Sequence, residues 1–267
     1  GCIMSVVISP SLYTSSPAVS LSNARIGWKK LTGTITASSS AGGFPASDAD
    51  HEMTYNAWKP VTLPATWELD CTTSKSANYI GLAAHTLGDS ATTVYAEYWS
   101  GAAWVEISSQ LVSDNSPIMF LFETELRTKY RIRLTGATVP KIGVIYIGET
   151  LDMQRGLSGG NPHITLSRVT RITNSSSETG QFLGRTTIPM GSTAAWSWSA
   201  LEPDWYRTNF DPFVVHARSK PYFIAWRPLE YPTEIGYCWT AEDIRPTNMG
   251  VRDYLSVSLN GEGLGVD

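Results

Sequence analysis

Polar and apolar residues along this chain alternate with a period of two far more often than they recur with the period of a helix, which predicts strands. In ATTVYAEYW, Thr93, Tyr95, Glu97 and Trp99 fall on one side and Val94, Ala96 and Tyr98 on the other. SGAA then turns the chain and WVEIS returns, predicting a hairpin. KYRIRLTG sets Tyr130, Ile132 and Leu134 against Lys129, Arg131 and Arg133. Two runs, IMFLFE and KIGVIYIGE, carry almost no polar position and predict strands covered on both faces. Short strands separated by Gly, Ser and Asn turns add up to a β-sandwich.

The stretch RGLSGGNPH breaks this pattern with Gly and Pro. It predicts a linker at 155–163 between a sandwich at 1–154 and a second β-rich unit at 164–267. Strand character resumes in ITLSRVTRITNSS, QFLGRTTIPMGS, YFIAW and RDYLSVSLNGEGLGVD. One segment differs. SALEPDWYRTNFDPFVVHARSK offers Ser199 as a cap and Pro203 in a first helical turn. Asp211 and Pro212 repeat that signal, and Lys220 and Pro221 end it, so one broken helix is expected over roughly 200–219. The expected fold class is all-β, mainly β with one short broken helix.

Composition narrows the functional classes. Charged residues make up 16% of the 267, against about 25% in ordinary soluble domains, so part of the surface is expected to be covered by partners. Ten Trp and twelve Tyr point the same way, since large aromatics serve interfaces as well as cores. A net charge of -4 gives no basic footprint for nucleic acid, and no apolar run approaches the roughly 18 residues of a membrane span. GCIMSVVISP lacks the basic and apolar segments of a secretory signal. Cys2, Cys71 and Cys238 are too few and too widely spaced for a disulfide framework or a zinc pattern. Free thiols are expected, as in a reducing cytoplasm.

Candidate chemistry is sparse. His85, in AAHTLG, has Asp89 and Glu97 nearby but no nucleophile elbow, and its expected role is to satisfy backbone groups at a strand end. His51 lies among Asp48, Asp50 and Glu52, a loop that invites calcium but lacks the Gly-centred spacing ending in Glu. His163 and His216 have no assignable partners. Glu97, Glu106 and Glu123 occupy outward strand positions, and AGGFP and LSGGNP lack the Lys and Ser/Thr of a phosphate loop. Asn174 opens an NSS glycosylation tripeptide. Trp58, Trp67, Trp99 and Trp104 can stack on sugar rings, although core and interface packing is their expected use. No catalytic residue, cofactor or metal ligand is expected. The helix carrying Trp205, Tyr206, Phe210 and Phe213 has more apolar surface than one face of a small domain hides, making these four the candidate oligomer interface.

The run FPASDADHEMTYNAWKP, followed by ATWELDCTTSKSANYIGLAAHTLGDSATTVYAEYW, resembles the discoidin-like, galactose-binding-type jelly-roll sandwich found in phage tail proteins. In that family His85 would belong to the turn after a buried strand. The segment from GQFLGRTTIPMGS to MGVRDYLSVSLNGEG is similar to minor tail proteins of long-tailed phages, and more loosely to the ring-type domain of distal tail proteins. Those commonly place the ring domain before the sandwich; here the order is reversed. The resemblance implies a non-enzymatic structural subunit of a phage tail tip or baseplate, made in the host bacterial cytoplasm and carried in the virion. Its implied partners are copies of itself in a ring, first of all a hexamer, together with tail-tube and hub proteins. The alternative is a carbohydrate-binding module that recognises host surface glycan through loop aromatics such as Trp58.

Overall fold

The computed structural model describes residues 5–15, 18–160, 162–250 and 252–264. The first elements among the described residues are β1 (Val6–Ile8), the short helices α1 (Pro10–Ser15) and α2 (Ala18–Leu21), β2 (Arg25–Gly27) and β3 (Thr34–Ala37). Next come the long β4 (Ala65–His85), the hairpin β5 (Thr93–Trp99) and β6 (Trp104–Leu111), and the long β7 (Ile118–Thr135). β8 (Ile142–Gly148) and β9 (Thr150–Asp152) follow, then β10 (Arg168–Ser176) and β11 (Phe182–Leu201). A helical stretch joins α3 (Pro203–Trp205), a π-turn at Tyr206–Phe210, and α4 (Asp211–Ala217). β12 (Tyr222–Ala225), β13 (Ile235–Thr240), β14 (Pro246–Asn248) and β15 (Leu255–Gly263) complete it. The mostly-β class therefore holds, and the broken helix lies within its expected bounds.

β4 and β7 are the spine of the sandwich. The first half of β4 pairs with β3 and with the end of β7, whereas Tyr79–Leu82 pair with the start of β7 and with β8. Register slips between Asp70 and Lys75 and between Ala77 and Tyr79 let both strands bend, so that their two halves face each other. Trp67, Leu69, Ile132 and Leu134 from one half meet Ile80, Leu82, Phe120 and Ile145 from the other in a single core. The strands predicted to be covered on both faces are so covered: Ile118–Phe122 and all of β8 are buried.

The other faces of β7 and β8 carry a second core. Met119, Leu121, Val144 and Tyr146 pack there against Phe223, Ala225, Ile235 and Tyr237 of a second sheet, ordered β10-β11-β15-β13-β12-β2-β9 with β14 on β15. Phe223 sits 5.6 Å from Tyr146 and 4.9 Å from Tyr237, ring centre to ring centre. Gly81 makes room for it, since a Cβ there would come within 2.7 Å of the Phe223 ring. On the far side of this sheet Trp196, Trp198, Tyr222 and Ile224 pack against the helical stretch in a third core. The order of layers is two sandwich halves, second sheet, helix.

The linker expected at 155–163 does not divide the hydrogen bonding. Arg25–Gly27 pairs with β12 and Thr150–Asp152 pairs with β2, so strands from the first 154 residues complete the sheet built by 164–267. The described part of the 155–163 segment is irregular, as its Gly and Pro content predicts, yet it is tied down. The Arg155 Nε donates to the Ala200 carbonyl at 2.7 Å, and the Ser158 N–H donates to that of Ser197 at 2.8 Å.

Candidate functional site

The residues singled out as an oligomer interface lie elsewhere than expected. Tyr206, Phe210 and Phe213 are buried, and only Trp205 keeps accessible surface. The reason is in their spacing. Tyr206, Phe210, Phe213, Val214 and Ala217 form one stripe at helical intervals, and the second sheet covers it. Phe210 meets Trp198 at 6.2 Å and Phe213 meets Tyr222 at 5.1 Å. Asp204, Arg207, Thr208 and Asp211 face outward instead. Trp58 and Trp67 are likewise buried, their indole N–H groups donating to the carbonyls of Ser39 and Ala46 at 3.0 and 2.9 Å. Neither can stack on a ligand.

The histidines are dispersed. His85 ends β4 at 4% exposure, its Nδ1 accepting a long 3.4 Å bond from the Leu87 N–H. Desolvation lowers its pKa to about 4. The folded chain therefore holds this ring neutral, while the unfolded chain protonates it near the ordinary 6.5. The resulting stability is fully present above pH 6.5 and is lost as pH falls toward 4, by about 3 kcal/mol. Urea titrations of wild type and His85→Gln over that range should show a shallower pH slope in the variant; equal slopes would refute the assignment. His163 pairs with Glu234 at 2.9 Å, and His216 packs on Trp28 with Nε2 3.2 Å from the Pro221 carbonyl. In the acidic loop Asp50 pairs with Lys30 at 2.7 Å. Among the described residues no three His, Cys, Asp or Glu side chains gather as metal ligands. Cys71 and Cys238 are buried and unbridged, and burial pushes both thiols up, while Cys2 lies outside the described residues.

Two surfaces stand out. The first is an arm formed by β10 and residues 182–192 of β11, whose register runs from Arg168 opposite Ser192 to Ser176 opposite Phe182. Every residue of β10 is exposed, and on β11 burial begins only at Ala194, where the strand enters the second sheet. Ile172, Ile188, Met190, Phe182 and Leu183 are 47–68% exposed. Gly180, at φ 81°, closes the tip, which no side chain clashes with. Among the described residues β10 pairs with β11 alone, leaving its outer backbone edge open. At the base of the arm lies a groove of about 540 Å³, lined among others by Ile164, Arg168, Val169 and Leu264. The strand pattern of 164–192 was legible in the sequence, but strand alternation does not reveal that a pair of strands projects.

The second is the outward face of β4, β7, β5 and β6. Glu97, only 5% exposed in its side chain, grips Arg131 Nε at 2.5 Å with one oxygen and Arg133 Nη2 at 2.9 Å with the other. Each guanidinium also lies on a ring: Arg133 on Tyr95 at 3.8 Å and Arg131 on Trp104 at 4.1 Å. Trp99 meets Trp104 edge to face at 5.4 Å. Lys129 bridges Glu68 and Asp70 at 3.0 and 2.9 Å, raising its own pKa and lowering that of Asp70. The sequence sets Tyr95, Glu97 and Trp99 on one side of their strand and Lys129, Arg131 and Arg133 on one side of theirs, as the structure has them. That the two sets meet, together with Glu68, Asp70 and Trp104, is tertiary, and the depth of Glu97 depends on a bulge between Ala96 and Glu97 and on the two flanking strands, β6 and β7.

No protein-family model and no curated protein matches the chain. Solved structures similar to parts of it include chitosan-binding module 1 of a chitosanase/glucanase from Paenibacillus sp. IK-5, 20% identical, over 44% of this chain and 96% of that one, with a TM-score of 0.38. A pectin-binding carbohydrate-binding module is 13% identical over 45% of this chain and 91% of its own, at 0.39. The family 32 carbohydrate-binding module of Clostridium perfringens NanJ, solved with galactose, is 14% identical over 43% and 91%, also at 0.39.

Proposed function

We propose that this chain is a non-catalytic assembly subunit that joins copies of itself, and that its setting is the phage tail tip implied by the sequence resemblance. The exposed arm carries this reading. A two-stranded ribbon alone in water is marginally stable, and one with apolar side chains on both faces has little to fix its register. Ile172 lies opposite Thr187 and Ile188 opposite Arg171, so the two isoleucines point to opposite faces. A neighbour that pairs with the open edge of β10 and covers these side chains removes both problems. Head-to-tail repetition of such a contact gives a closed ring when its rotation returns to the start.

The test is the double substitution Ile172→Lys, Ile188→Lys. In sedimentation, wild type is expected to form discrete oligomers at high concentration and the variant to remain monomeric. At concentrations low enough for wild type to be monomeric, melting temperature should scarcely move, because both sites are exposed and cost roughly 0.5 kcal/mol or less in the monomer. Monomeric wild type at high concentration, together with its absence from purified virions, would end this reading.

A second reading, recognition of a host glycan, is favoured by the outward sheet face. There, partly accessible Trp99 and Trp104 stand beside fixed hydrogen-bonding groups, the combination that saccharide sites use. The fold by itself does not decide between the two.

A further inference from the structure

We infer that the outward face of β4, β7, β5 and β6 is a binding platform for an uncharged oligosaccharide lying along the strands; this rests on the glycan reading above. Three features of the face carry it. The first is that its charges are already matched. Lys129, Arg131 and Arg133 meet Glu68, Asp70 and Glu97, with Glu106 a further 3.9 Å from Arg133. Three cations against four carboxylates leave no excess to attract a polyanion and only one carboxylate to attract a polycation. What remains is a set of unused lone pairs and N–H groups, which suits hydroxyls.

The second feature is that these groups are held in place before any ligand arrives. Guanidiniums that are stacked on rings and forked by Glu97 have lost their rotamer freedom in folding, so binding does not have to supply that cost. The third is geometry. Tyr95, Glu97 and Trp99 share one side of β5, and from Tyr95 to Trp99 the strand rises about 13 Å. Trp104 extends the aromatic end across to β6, beside Glu106. The apolar face of a sugar ring can lie against the Trp99–Trp104 pair. Neighbouring hydroxyls then donate to Glu106 and accept from Arg133. The length fits a short chain of sugars and exceeds a single one.

The experiment uses the whole chain and four probes: cellohexaose, maltohexaose, chitosan hexamer and oligogalacturonate. Indole N–H signals of Trp99 and Trp104 in wild type are followed by NMR during each titration, and affinities by calorimetry. One of the neutral hexamers is expected to shift both indoles, with affinity falling about ten-fold or more in Trp104→Ala and in Arg133→Gln. Tyr55→Ala, at a loop aromatic 78% exposed, should leave affinity unchanged. Should a variant fail to fold, the wild-type indole shifts still decide. Binding that moves neither indole and is lost in Tyr55→Ala keeps the glycan reading and overturns the platform. Tighter binding of the charged oligomers than of the neutral ones overturns the ligand class. Silence from all four probes overturns this platform and counts against the glycan reading with it.

Discussion

Phe223→Ala is expected to destabilise the protein by about 3–5 kcal/mol, the usual cost of deleting a fully buried Phe. The ring is 0% exposed and fills the layer between sandwich and second sheet, in contact with Tyr146 and Tyr237 and seated over Gly81. Its neighbours are fixed by strands on both sides, so the cavity has little freedom to collapse. For a chain of this length the loss corresponds to roughly 6–20 °C in Tm. Beyond magnitude, the variant tests how the layers cooperate. A wild-type chain whose sheets share this core should unfold in one transition, and weakening the core should separate the sandwich from the second sheet. Scanning calorimetry of both proteins reads this directly. A loss below about 1 kcal/mol would mean that the Phe223 layer is not a shared core.

Gly148→Ala should be comparably damaging through the opposite defect, too much atom. A Cβ at this position would lie 2.0 Å from the Lys29 carbonyl oxygen and 2.8 Å from its carbon, both backbone atoms that cannot rotate aside. The crossing is pinned nearby, because the Leu31 N–H donates to the Ile147 carbonyl at 2.7 Å and Tyr79 donates to the Lys29 carbonyl at 2.8 Å. Either β8 leaves its register on β4 or the 29–31 segment lifts away. The expected cost is about 3 kcal/mol or more, at the upper end for overpacking. Gly42→Ala serves as the control, since nothing lies within 4 Å of its would-be Cβ, and it should be neutral within about 0.5 kcal/mol. Equal stability of the two variants in urea titrations would contradict the close approach at Gly148.

The strands themselves were legible in the sequence because burial on one face or two writes itself as alternation or as an unbroken apolar run. β5, β6, β8 and the two halves of β7 were read this way. ATWELD and YIGLAA lie in the run that carries the family resemblance, and nothing in that run shows that they belong to one strand of 21 residues bent upon itself. Pro203 and Asp211 mark the helix in the sequence, yet the sequence alone points its aromatic residues outward. Amphipathic spacing says that a stripe is covered, and it does not say whether the cover is a neighbouring molecule or the chain's own sheet.

What the sequence determined by itself is local: the mostly-β class, the turns, the sidedness of Lys129, Arg131 and Arg133, and the breaker at 155–163. The tertiary structure alone decided that β2 and β9 complete the second sheet, that Trp58 and Phe210 lie inside, that Glu97 is gripped by two arginines, and that β10 and residues 182–192 of β11 project uncovered. The physical reason is that a strand's period records which side is apolar, whereas its partner is fixed by backbone hydrogen bonds that are the same for every residue type. Which strand finds which, and what is left without a cover, is settled only when the layers stack.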